Sequence, residues 1–334
     1  MSTAFTKPVW SLIITLIISC LLFLTLDSGL SITKFDADSW QFILGLRSKK
    51  LLALLIVGFA VGASTLLFQT ITHNPILTPS LLGFDSLYIL LQSLLVFSLG
   101  AVHFNNINPI FKFTLEVSLM FTASFLLFVL MFRRKKVDLA AIDLTRVILV
   151  GIIFGVLFRS FSALISRLMD PEEYITIQVA SFAGFNSVNP QLMVISLLCC
   201  VFAAFLIWRW RNECDVLLLG KIQAVNLGVN YFGIVFRLLI IISLLVATAT
   251  AFVGPVTFLG LLVCALTNKI SRKMYHGERL LLVSLIAMTF LVLGQTIFEH
   301  VLGMAGILSV VIEFVGGIAF LVLIFGLNKA KKIV

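Results

Sequence analysis

The sequence predicts an all-α, polytopic membrane protein of about ten transmembrane helices with both termini on the cytoplasmic side. Three observations carry this. Of 334 residues, 60% are apolar and 12% charged, with a mean hydropathy of +1.15, whereas a soluble domain is about half apolar and a quarter charged. The apolar residues fall into ten runs, each near the roughly 20 residues needed to cross about 30 Å of hydrocarbon. The runs lack the dyad alternation of a membrane β-barrel, so the chain reads as one helical membrane domain over residues 1–334.

The runs lie near residues 9–30, 51–71, 81–100, 113–132, 141–165, 191–208, 233–252, 256–270, 280–298 and 307–327. The first resembles a leader peptide up to Cys20, but Leu21–Leu24 keep it hydrophobic as far as Asp27, which fits an uncleaved first span better. Thr33 to Lys50 reads as a charged external connection. Gly58 and Gly62, like Gly151 and Gly155, stand at the small-xxx-small spacing that lets helices approach closely in lipid. Arg167 to Asn189 is too polar to span and long enough for a short surface helix. Residues 209–230 form the longest internal connection, with charges and two glycines but a spacing suited to one or two short amphipathic helices.

Basic residues set the orientation. The 133–136 cluster, Arg209, Arg211, Lys221, the 269–279 cluster and the C-terminal lysines share one side with Lys7. Lys34, Arg47, Lys49, Lys50, Lys112, Arg159 and Arg167 fall on the other. The first side wins by roughly two to one, which makes it cytoplasmic. The formal charge of +9 is therefore the basic flanking of spans, with no nucleic-acid partner implied.

Enzyme chemistry has little to stand on. Gly220-Lys221 lacks the remainder of a phosphate-binding loop, and neither a His-Glu-x-x-His nor a Gly-x-Ser-x-Gly pattern occurs. The five cysteines show no metal-ligand spacing, and the four histidines read as interfacial polar residues. Glu116 and Glu313 are the acids read as embedded in spans. Glu313 reads equally as a cavity-facing group and as a carboxylate paired to a neighbouring helix. Without a relay of acids and histidines, an ion-coupled carrier is the weaker reading. A structural subunit without cargo is a third.

The segment Gln69 to Gly83, with Asn74, Pro75, Pro79 and Gly83, reads alone as a rigid turn in which Asn74 caps exposed carbonyls. It closely resembles the Gln-x-x-x-x-Asn-Pro-Leu-Ala-x-Pro-x-Leu-Leu-Gly signature of permeases in the iron-siderophore and cobalamin (FecCD-like) branch of the ABC importers. Gln223 to Asn230, Phe252 to Val263 and Phe314 to Phe320 are similar to three further segments of that family, in the same order. Cys264-Ala265-Leu266-Thr267-Asn268 departs from the usual Pro-His and Arg, Gly316-Gly317 replaces Gly-Ala-Pro, and Glu313 stands where many members carry a small or apolar residue.

The resemblance implies ten spans in a cytoplasmic (inner) membrane of a bacterium, and a permease subunit carrying ferric siderophore. Cobalamin or haem is the alternative cargo. It implies a second, homologous and different, permease subunit, two ATP-binding subunits that use ATP and magnesium, and an extracytoplasmic substrate-binding protein. This chain itself would bind neither cofactor nor metal. Gln223, Ala224, Asn226, Leu227 and Gly228 would couple to the ATPase, with Leu227 and Gly228 in a bend. Arg47 and Lys50 match the family's Arg-x-x-Arg, which docks the binding protein, although Lys50 lacks the bidentate fork. Glu313 would face the translocation path.

Overall fold

The computed structural model describes residues 3–25, 37–132, 144–185, 188–271, 275–300, 310–314 and 316–318, and these are helical apart from connections. Twelve helices follow in order: α1 (Thr3–Thr25), α2 (Ala37–Thr72), α3 (Phe84–Asn106), α4 (Pro109–Phe132), α5 (Leu144–Ser166), α6 (Pro171–Ala180), α7 (Pro190–Arg209), α8 (Arg211–Leu217), α9 (Lys221–Asn226), α10 (Tyr231–Val253), α11 (Thr257–Ile270) and α12 (His276–His300). A 3-10 turn, Pro79–Leu82, precedes α3. Among the described residues, seven helices are long and apolar enough to cross a membrane, and Val9–Thr25 and Thr257–Ile270 are shorter apolar helices. With 310–314 and 316–318 marking the tenth run, the predicted spans each have a helical counterpart. The rest of that run lies outside the described residues, as do 26–36 and 133–143.

The prediction is corrected at Thr33 to Lys50, where residues 37–50 belong to α2. That helix has 36 residues and rises about 54 Å, well beyond the hydrocarbon. The charges that ended the predicted span are satisfied in place. The Arg47 guanidinium donates to the carbonyls of Phe23 and Leu24 at the end of α1, 3.2 Å each. Lys50 Nζ pairs with Glu299 of α12 at 2.5 Å.

The core lies where α2, α10, α11 and α12 pack, while α5 and α7 leave most of their apolar surface exposed. Close approach is built on the small residues. A Cβ added at Gly58 would meet the backbone N of Met288 at 2.9 Å, and one at Gly62 the carbonyl of Val283 at 3.2 Å, so α2 and α12 touch nearly backbone to backbone. In lipid, this dense contact substitutes for hydrophobic drive.

Candidate functional site

Three interruptions of regular helix meet halfway through the bundle. The first follows α2, which ends on His73 in the left-handed region (φ 51°). His73 Nε2 donates to the carbonyl of Leu217 at the far end of α8, 2.8 Å away. Asn74 does not cap α2: its Oδ1 accepts from the Ile76 amide at 3.0 Å, a local turn, while Gln69 Nε2 reaches the Pro75 carbonyl at 2.8 Å. The chain then climbs in extended form through Thr78 into the 3-10 turn, and Gly83 (φ 86°) starts α3.

Gly83 lies against Gly155, and Leu82 against Gly151; a Cβ on Gly83 would stand 2.8 Å from the Cα of Gly155. Gly155 is eleven residues into α5, about 16 Å along it. The Asn-Pro segment is therefore re-entrant, and α3 begins near mid-depth. Proline supplies the stop, since it disfavours helix in the residue before it.

The second interruption is Gly254 to Val256, between α10 and α11. Gly254 has φ 101°, and a Cβ there would come within 2.9 Å of the Phe182 carbonyl. Fourteen residues give α11 a rise of about 21 Å, short of the roughly 30 Å of hydrocarbon, so this break also lies inside. The third is the chain leaving α6, whose Gly184 amide donates to the Val253 carbonyl at 2.7 Å. Irregular backbone at membrane depth persists only where protein buries it or a cavity solvates it.

The breaks surround a narrow cleft walled by Ser64 and Thr65 of α2, Thr78, Ser80, Asp85, Thr250 and Thr257. Ser80 hydrogen-bonds the Asp85 carboxylate, and Asp85 in turn feels both Glu313 and Arg159 electrostatically. The Thr257 hydroxyl donates to Glu313 Oε1 at 2.8 Å. Glu313 is thus paired to the first residue of α11, and that residue, Thr257, lines the cleft. Such a lining offers exchangeable hydroxyl contacts to a polar cargo without a tight cage.

Asp85 is the residue the sequence reading missed. Its signal was available: an acid two residues after Gly83, inside an apolar run. Glu116, read as the second embedded acid, is buried between α3 and α4, where it accepts from Gln92 Nε2 at 2.7 Å. It takes no part in the cleft.

At the far end, α8 and α9 form the expected short helices. Gly228 (φ 83°) closes α9: its amide bonds the Val225 carbonyl at 2.9 Å and the Val229 amide bonds that of Ala224 at 3.0 Å, the paired bonds of a glycine-terminated helix. Leu227 and Gly228 therefore sit in the bend. Ala224 is fully buried beneath, while Gln223, Asn226, Leu227 and Gly228 are exposed. Leu218, Leu219, Ile222, Val225 and Leu227 form an exposed apolar cap, with Ile222 74% and Leu227 62% accessible. An apolar cap at an end otherwise basic marks an interaction surface.

This end is bonded to the spans. Asp215 of α8 accepts from the His276 amide at 2.6 Å, and His276 Nε2 lies 2.7 Å from Thr70 Oγ1. The Thr70 hydroxyl is spent on Leu66 O, leaving Nε2 to donate. His276 is thus a buried core residue and not an interfacial one. Cys214, next to Asp215 in α8, is fully buried, and burial, with Asp215 and Glu213 adding to it, pushes its thiol up to about 12.

At the opposite end, the positions read as docking cations have internal partners: Arg47 on the α1 carbonyls and Lys50 on Glu299. Lys49 between them is exposed.

A multi-pass helical bundle whose spans break around a polar mid-depth cleft, with an apolar cap on one end, is a membrane transport permease. The chain belongs to the FecCD transport family, which it matches over residues 9–326. It is 38% identical over 296 residues to the petrobactin import system permease protein YclO of Bacillus subtilis, covering 89% of this chain and 92% of that one. It is 33% identical over 291 residues to the petrobactin permease FatC of Bacillus anthracis, covering 86% and 80%. A solved structure described as an inward-facing conformation of a metal-chelate type ABC transporter aligns over 96% of this chain and 99% of that chain, with a TM-score of 0.83 at 21% identity. That likeness is one of fold.

Proposed function

We propose that this chain is the permease subunit of an ATP-driven ABC importer that moves a ferric siderophore across the bacterial cytoplasmic membrane. The observation that carries the reading is the exposed apolar cap on α8 and α9, held to α2 and α12 by His73, Asp215 and His276. A chain whose sequence carries no phosphate-binding-loop pattern would need a surface on which an ATPase can act, and α8 and α9 offer one at the end carrying most of the basic flanks, the cytoplasmic end by charge. Residues 223–228 are its centre. The petrobactin permeases among the relatives support a siderophore cargo. A different permease as second subunit is in keeping with FatC and FatD, two distinct petrobactin permeases of one organism, both related to this chain. An extracytoplasmic binding protein would deliver the chelate, docking near Arg47 and Lys50.

The cleft supports import of a polar chelate by alternating exposure, a rigid-body rearrangement of packed helices. Its hydroxyls replace part of the cargo's hydration, and its narrowness closes the path between strokes. The test is uptake into proteoliposomes holding the assembled complex, comparing iron-loaded siderophores with cobalamin and haem. ATP-dependent uptake of a ferric siderophore alone is expected. Uptake that continues when the ATPase cannot hydrolyse nucleotide would refute the reading, and uptake of cobalamin or haem instead would reassign the cargo.

A further inference from the structure

Beside the cleft, a second cavity opens between α3, α5 and α6. Asp85 lines the narrow cleft and the next residue, Ser86, lines this groove, so the two adjoin around the start of α3. The groove is wide and open to its surroundings, with about 1420 Å3 of space counting its open mouth, against about 380 Å3 for the cleft. Its wall mixes apolar residues such as Ile89 and Ile177 with Ser86, Ser162, Ser166 and Gln178, and both Arg159 and Arg167 stand among them.

Arg159 is the informative residue. It lies seven residues before the end of α5, about 10 Å inside the helix end. A guanidinium at such depth facing lipid costs on the order of 3 kcal/mol, which is why ionisable groups within spans face interiors or water-filled paths. Here it faces the serine-lined wall. Among the described residues, no carboxylate comes within ion-pair distance of Arg159 or Arg167, and Asp85 acts on Arg159 electrostatically without closing a pair. The remainder of α5 presents Leu149, Ile153, Val156 and Leu164 to its surroundings. The charge is thus placed on one polar stripe of an otherwise apolar helix.

Among the described residues, two guanidiniums without a paired carboxylate make an anion-binding surface, while the neighbouring Ser162, Ser166 and Gln178 are bonded within the protein, to Ser93, to the Ser162 carbonyl and to Tyr174. A guanidinium fork takes carboxylate and phenolate oxygens in charge-assisted bonds, and both guanidiniums are exposed to receive them. We propose that this groove is a charge-selective binding site for a net-anionic ferric chelate, anchored by Arg159 at depth and Arg167 at the mouth. It passes the chelate to the cleft and disfavours free ferric ion. The proposal rests on the import function above.

The experiment uses the assembled complex with its binding protein in liposomes of zwitterionic lipid, and a radio-iron catecholate chelate of net negative charge as probe. Uptake is measured at limiting chelate for the unaltered complex, R159K, R159Q and R159E, with R167Q as a second site. Loss of one charge-assisted bond predicts about tenfold slower uptake for R159Q. R159K should stay within about threefold, because it keeps the charge and loses only the fork. R159E should be slowest, and R167Q should fall in the direction of R159Q. Equal rates in R159K, R159Q and R159E, whether normal or abolished, would overturn the proposal, since charge would then not decide uptake. A defect in R159Q that appears only when anionic lipid is added would overturn it too, assigning the groove to a lipid headgroup. No uptake of any ferric chelate by the unaltered complex would instead sink the functional reading, and this one with it.

Discussion

Placing alanine at Gly83, Gly155 and Gly228 separates the two physical reasons the mid-depth junction demands glycine. Gly228 has φ 83° and open space where its Cβ would stand, so G228A carries only the left-handed backbone cost, roughly 1–2 kcal/mol. Gly155 is helical, but its Cβ would approach the Gly83 Cα at 3.1 Å. G155A therefore carries only overpacking, about 1–3 kcal/mol. Gly83 has φ 86° and a 2.8 Å approach to the Gly155 Cα. Both terms apply, and the partner atom is backbone that cannot rotate away, so G83A should cost about 2–5 kcal/mol. Reversible unfolding of the purified permease in mixed micelles measures all three. G83A should be the least stable, and G83A/G155A should be non-additive, because each residue is the other's neighbour. G83A no more destabilising than G228A would refute the re-entrant placement of residues 74–83, for it would mean that no backbone stands against Gly83.

Three further outcomes follow from named contacts. L227D or I222D puts a charge on the apolar cap while leaving the buried Ala224 untouched. ATPase co-purification should fall at least about tenfold with no change in permease melting temperature, and undiminished co-purification would detach the cap from coupling. Breaking the mostly buried Lys50–Glu299 pair by K50Q should destabilise by about 3 kcal/mol, since it strands Glu299 beside Gln295, whereas K50Q/E299Q should recover most of the loss; equal losses in the single and double variants would show that the pair is not coupled. Thiolate is the reactive form, and a thiol held near 12 stays protonated through neutral pH. Cys214 should therefore resist maleimide at pH 7 in the folded protein and react promptly once unfolded; fast labelling of folded protein would contradict its burial.

Much of this architecture was legible because hydropathy reports length and apolarity, and those fix the number of crossings. Glycine spacing located two contacts, Gly58/Gly62 on α12 and Gly151/Gly155 on the 3-10 turn, since only close backbone approach gives that spacing a purpose in lipid. The short helices α8 and α9 were visible because a polar stretch with apolar residues at helical spacing neither spans nor unwinds. Depth was not visible. Nothing in the run 81–100 says that α3 starts halfway through the bundle; that follows from Gly83 meeting Gly155, 72 positions later. Lys50 looked like a loop cation because its partner Glu299 is 249 residues away, and Asp85 passed unnoticed because the charges that act on it, Arg159 and Glu313, stand on distant segments of the chain.

The two ends of the candidate site are mechanically joined, which bears on how work done at the cap reaches the cleft. Helix α8 is held to the end of α2 through His73 and Leu217, and to the start of α12 through Asp215 and His276, which itself donates to Thr70 of α2. Shifting α8 while α2 and α12 stayed still would break the part-buried His73–Leu217 and Asp215–His276 bonds, at about 1 kcal/mol each. Moving them together leaves those bonds intact. The lower-energy response to a push on α8 and α9 is therefore a joint displacement of α2 and α12, which the backbone contacts at Gly58 and Gly62 already make one unit. Ser64 and Thr65 lie on α2 six and five residues from Thr70, less than two helical turns away, and they wall the cleft. Helix α2 is thus the shortest continuous route from the cap to the path, and its length, extended by residues 37–50 to the Lys50–Glu299 pair, carries the same displacement to the opposite end of the bundle.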